Sequence, residues 1–108
     1  MKKLIIHSQD ELRFVAHSEI VYCKSDNCYT SIHLLSGQEE VICKSLKKVS
    51  EQLAGETFIR VNQSYLVNKG FIKSVDKKRK LIGLEGDIKI PFTITINQLL
   101  IMILKQIA

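Results

Sequence analysis

The sequence predicts a mostly β domain of antiparallel strands, with one short helix over about residues 46–54 and a C-terminal segment open between helix and strand. Three observations carry this. Short runs of alternating apolar and polar residues recur along the chain, and clusters of Ser, Asn, Asp and Gly separate them. The hydrophobic period then switches to a helical one at Ser45. A chain of 108 residues is one domain, residues 1–108, and buries roughly two-thirds of the surface its unfolded form exposes.

In chain order, Lys2 to His7 and Glu11 to Ala16 are β-prone and flank Ser8-Gln9-Asp10, which predicts a hairpin. Glu19 to Lys24 and Tyr29 to Leu35 form a second pair around Ser25-Asp26-Asn27, whose side chains can bond nearby backbone and support a tight loop. Ser36-Gly37 turns the chain into Glu40 to Cys43. Leu46, Val49 and Leu53 then recur at helical spacing, with Ser45 as N-cap and Gly55 as C-terminal cap, so the helix spans Leu46 to Ala54. Lys48 stands where a capping box would need Glu or Gln, so packing of that stripe must hold the helix.

Phe58 to Asn68 interleaves apolar, charged and hydrogen-bonding residues. Phe58, Tyr65 and Val67 are expected in a core, with Arg60 and Asn62-Gln63-Ser64 near the surface. The triplet reads either as a presented loop, whose groups suit base edges and phosphates, or as a turn satisfying itself. Phe71 to Asp76 and Leu81 to Leu84 make another hairpin around Lys77-Lys78-Arg79-Lys80, and Glu85-Gly86-Asp87 leads into Ile88 to Pro91. Phe92 to Ile96 alternates apolar residues with threonine, and Asn97 is the candidate cap of a last segment. Within it, Leu99 to Leu104 is apolar all round and must be covered, by the core or by a second copy of the chain.

Hydrophobic residues make up 45% and charged residues 25%, which excludes a disordered chain. Up to Ile59 there are seven Lys and Arg against eight Asp and Glu; from Arg60 on there are nine against three. The basic excess therefore lies wholly in the second half and suits a polyanion there. The four consecutive cations at Lys77 to Lys80 would contact phosphates, or form a solvated hairpin tip. No signal peptide is visible, the longest apolar run is far short of the ~20 residues of a membrane span, and the cysteines are odd in number, so a soluble cytoplasmic protein with reduced thiols is expected.

Cys23, Cys28, His33 and Cys43 include zinc-ligand types, but their spacing is not that of a zinc knuckle, and core or surface thiols are expected instead of a metal site. No nucleophile with a base, carboxylate pair or Gly-rich loop stands out; His7, His17 and His33 are isolated and the five glycines scattered. Neither catalytic residues nor a cofactor is expected. Seven aromatics without Trp leave little for base stacking on single strands.

Ile20-Val21-Tyr22, Asn27-Cys28-Tyr29-Thr30, Ser45-Leu46, Phe58-Ile59-Arg60-Val61, Ser64-Tyr65-Leu66-Val67-Asn68, Ile72 and Ile90-Pro91, in that order, resemble the LytTR domain. This is the mostly β DNA-binding module usually fused to bacterial response regulators of two-component signalling. The resemblance covers most of the chain. It implies an elongated arrangement of small antiparallel sheets with one helix, and loops that enter the major groove of double-stranded promoter DNA and bend it. Transferred residue by residue, the contacts fall to Asn27 and Cys28, to Asn62, Gln63 and Ser64, and to Thr93 and Thr95.

The family commonly places a His and a basic residue before the Ser, where this chain has Asn62 and Gln63. After the proline it commonly has Ser with Arg, where this chain has Thr93, Ile94 and Thr95. Loss of a guanine-reading Arg removes a contact worth about 1–3 kcal/mol of discrimination, while Gln63 is suited to adenine. The expected function is sequence-specific DNA binding as a transcriptional regulator. The alternative is a LytTR-like protein-interaction module with weakened or lost readout, acting through its apolar tail, which is also the candidate homodimer contact. Only about twenty residues precede the first matching run, so the sequence as given is expected to act without a receiver domain.

Overall fold

Short alternating strands can each bury one side chain in two, and the chain satisfies that demand with three antiparallel sheets around two cores. The computed structural model describes residues 2–53, 55 and 57–105. Strands β1 (Lys3–His7) and β2 (Leu12–Ala16) form a hairpin. The central sheet contains β3 (Ile20–Asp26), β4 (Tyr29–Leu34), β5 (Glu39–Ile42), β6 (Phe58–Arg60) and β7 (Tyr65–Asn68), in the order β5-β4-β3-β7-β6. A third sheet orders β8 (Ile72–Asp76), β9 (Leu81–Leu84) and β10 (Ile88–Pro91) as β10-β9-β8. Two α-helices, α1 (Leu46–Gln52) and α2 (Ile96–Leu104), and two single 3-10 turns, His17–Glu19 and Lys69–Phe71, complete the described elements. The molecule is elongated, 46 × 33 × 24 Å.

The central sheet contributes to both cores. On one side Ile20, Cys23, Ile32, Phe58 and Leu66 meet Leu4, Ile6 and Val15 of the hairpin and Leu46, Val49 and Leu53 of α1. On the other, Val21, Ile59, Val61 and Val67 meet Ile82, Leu84, Ile90, Phe92 and Leu99. The expectation of one core for Phe58, Tyr65 and Val67 is corrected here: Phe58 and Val67 enter opposite cores, Ile59 and Val61 are buried too, and Tyr65 is half-buried. Arg60 is exposed as expected.

The helix stripe Leu46/Val49/Leu53 is buried, and the Ser45 hydroxyl accepts from Lys48 N. α1 ends at Gln52, and Ala54 lies outside the described residues. The C-terminal segment resolves to helix, but its cap is Thr95 rather than Asn97. Thr95 Oγ1 accepts from Gln98 N while Gln98 Oε1 accepts from Thr95 N, a reciprocal capping box. The turn between β3 and β4 is also tighter than Ser25-Asp26-Asn27: both strands extend until Asp26 pairs with Tyr29. This leaves Asn27-Cys28 as the turn, with Asn27 at φ 57°, a left-handed conformation that Asn tolerates.

Burial separates the thiols. Cys23 lies in the first core, where desolvation pushes its thiol up to about 12, while Cys28 and Cys43 are exposed. Among the described residues no helix is long and apolar enough to cross a membrane.

A buried carboxamide ties the start of β3 to the end of β7. Asn68 Nδ2 donates to Ile20 O at 2.8 Å, and its Oδ1 accepts from Gly70 N at 2.9 Å. Asn68→Ala leaves a buried carbonyl unpaired and is expected to cost about 1–3 kcal/mol, read as a lower urea midpoint at unchanged slope. An unchanged midpoint would show that the tie contributes nothing net.

Candidate nucleic-acid interface

Four loops meet at one end of the molecule because main-chain groups of each are bonded to the next. Ser25 N, just before the Asn27-Cys28 turn, donates to Ser64 O at 2.8 Å. Thr93 N, after β10, donates to Val61 O at 3.0 Å. Phe92 N donates to Lys80 O at 3.2 Å, which joins the basic turn to the same assembly. The loops of the expected contacts, Asn27 and Cys28, Asn62 to Ser64, Thr93 and Thr95, and Lys77 to Lys80, are thus brought together.

Asn62 is the joint among them. Its Oδ1 accepts from Ser64 N at 2.7 Å and Tyr65 N at 2.9 Å, and its Nδ2 donates to Pro91 O at 2.6 Å. One carboxamide therefore folds its own loop and fastens it to the end of β10. Arg60 braces the same loop from outside, with Nε donating to Asn62 O at 3.0 Å and Nη2 to Gln63 O at 2.8 Å. Beyond those carbonyls Arg60 shares a shallow groove with Ile94, Gln98, Ile101 and Met102.

The candidate residues consequently divide by what their side chains already hold. Among the described residues Gln63 is exposed and its carboxamide makes no hydrogen bond, and the Ser64 hydroxyl is likewise unengaged. Asn27, Cys28 and Thr93 are exposed beside them. Thr95 already spends its hydroxyl on capping α2.

The basic turn divides too. Asp76 Oδ1 accepts from Lys78 N and Arg79 N, shaping a turn whose Lys77, Lys78 and Arg79 are exposed. Lys80, at φ 58°, turns back instead: its Nζ donates to Ile94 O at 3.1 Å and lies 4.8 Å from the centre of the Phe92 ring. Three cations, not four, face solvent at the tip.

The sequence reading did not single out Lys24. It is exposed on β3, opposite Tyr65 on β7, with Nζ 5.8 Å from the Tyr65 ring centre. Tyr22 continues this face, 6.0 Å from Tyr65 and stacked on His33 at 4.2 Å and 8°. Burial lowers the His33 pKa, opposed by Glu39 and aided by Lys24. The period-2 alternation of Tyr22 and Lys24 was the available signal, but a lone Lys on a strand carries no motif.

The fold and its loop end define a small β-rich recognition module. The LytTr DNA-binding domain family matches residues 10–102, and the chain belongs to that family. It is 27% identical over 73 residues to the Sensory transduction protein LytT of Oceanobacillus iheyensis. That match covers 68% of this chain and 30% of that protein, so the chain spans less than a third of the relative's length. Its fold is similar to a solved LytTr DNA-binding domain from Bacillus cereus, of a protein described as a methyl-accepting/DNA response regulator. The TM-score is 0.76 at 19% identity, covering 96% of this chain and 97% of that one.

The Asn62 geometry sets a test. Asn62→Ala should speed amide hydrogen exchange at Ser64 and Tyr65, because both lose their acceptor, while Asn62→Asp should keep those two amides protected and lose only the bond to Pro91. Equal exchange in wild type and Asn62→Ala would remove Asn62 from the role of joint.

Proposed function

We propose that the domain binds double-stranded promoter DNA sequence-specifically, as a cytoplasmic bacterial transcriptional regulator, by inserting its loops into the major groove. The observation that carries the reading is the main-chain bonding that gathers the four loops at one end and leaves Gln63 free at their centre. Such pre-ordering lowers the entropy lost on binding. Gln63 reads a base, with adenine as the geometric match. Ser64, Thr93, Asn27 and Cys28 contact nearby phosphates or base edges, and Lys77, Lys78 and Arg79 supply sequence-independent attraction. Asn62, Thr95 and Lys80 act by holding the loops.

The test is selection of bound sequences from a random duplex pool at two salt concentrations. Gln63→Ala is expected to relax preference at one or two base pairs, and Ser64→Ala to weaken all sequences alike. Identical effects of both variants on selected and random DNA would sink the assignment.

A second reading, a protein-interaction module with weakened or lost DNA readout, is favoured by α2. Leu99 is buried, but Ile101 and Leu104 are each 68% exposed and Leu100 is 40% exposed. The two readings meet in a homodimer through this face, which would let two domains engage paired sites with higher effective concentration. Ile101→Lys should leave a folded monomer that binds a single site normally and paired sites less tightly. Ile103→Lys, at a half-buried position packed on the second core, should lose stability. Light scattering with circular dichroism decides: a wild type that stays monomeric at high concentration excludes the dimer.

A further inference from the structure

The order in which the loops are tied together also orders their charges. From the Asn27-Cys28 turn the ties run to residues 62–64, from there to residues 91–95, and finally to the turn at residues 76–80. The two inner loops present no free cation. Gln63, Ser64, Thr93 and Thr95 are neutral, and the Arg60 guanidinium is turned onto the carbonyls of Asn62 and Gln63. The last loop in this series carries Lys77, Lys78 and Arg79. The strand leading into the first carries Lys24, exposed and in no ion pair among the described residues.

Resting on the DNA reading above, we infer that Lys24 is a phosphate-binding residue on the opposite flank from the basic turn, so that the domain straddles a groove with one cationic flank on each strand. Spacing supports the assignment. At ~3.3 Å per residue Lys24 stands about 10 Å behind Asn27, and the major groove is about 8.5 Å deep, so a turn at the floor of the groove brings Lys24 to its rim, where the phosphates lie. The side chain is also held in place. Lys24 pairs in register with Ser31 on one side and Tyr65 on the other, and its ammonium lies against the Tyr65 ring, whose neighbour Tyr22 is stacked on His33. The ring ladder limits where Nζ can go without neutralising it, as a carboxylate would.

The experiment uses duplex selected by the wild-type domain and the variants Lys24→Ala, Lys24→Arg and the triple Ala variant of Lys77, Lys78 and Arg79. Lys24→Ala should weaken selected and random duplex by the same factor and lower the salt slope by about 0.9, with Lys24→Arg restoring it. In phosphate ethylation interference, Lys24→Ala and the triple variant should lose sensitive positions on opposite strands of the groove. An unchanged slope in Lys24→Ala, or loss of the same positions in both variants, overturns the assignment while leaving DNA binding intact. A wild-type domain that binds no duplex overturns the DNA reading itself, and this inference with it.

Discussion

Burial of the central sheet on both faces is the constraint on which the other features rest. In β7, Leu66 faces the core shared with α1 and the hairpin, and Val67 faces the core shared with β9, β10 and α2. A slip of one residue would turn each side chain to the other face and send Tyr65 or Asn68, depending on its direction, into a position shaped for an aliphatic side chain. That register delivers Ser64 to the end of β7 opposite Ser25, and the loop end is a consequence of it.

From there the site is assembled chiefly by the backbone. The hydrogen bonds joining one loop to the next end on main-chain carbonyls: those of Ser64, Val61, Pro91, Lys80 and Ile94. Only Asn62 and Lys80 contribute side chains to these ties. Arg60 carries the one charge in the stretch from Phe58 to Asn68, yet its guanidinium donates to two carbonyls of its own loop. A charge in a recognition loop can thus be structural, and its removal would loosen the loop as well as alter the field around it.

The fold was legible where one period dominated. The hairpins, the Leu46/Val49/Leu53 helix and the basic turn all fall where alternation, spacing and turn residues agree. The errors came where two demands overlapped. Ile59 and Val61 look like alternation out of phase unless a second core is known to exist, and a sequence does not announce which strands are covered twice. Thr95 was hidden as a cap because Phe92 to Ile96 alternates like a strand, and the Gln98 that completes its capping box lies within the apolar tail segment. In the site, residue types were visible but their engagement was not: Asn62 and Gln63 are chemically alike and adjacent, and only the fold shows that one is bonded through both its oxygen and its nitrogen and the other free.

Because the loops are fastened largely through peptide groups, the side chains at Cys28, Gln63 and Thr93 carry little of the folding free energy. Mutation can therefore sample new residues at these three positions while stability stays nearly constant, whereas Asn27 is held by its left-handed backbone. Change at the three needs no compensating change in either core. Replacement of Asn62, in contrast, removes the bonds that order its loop and fasten it to the end of β10.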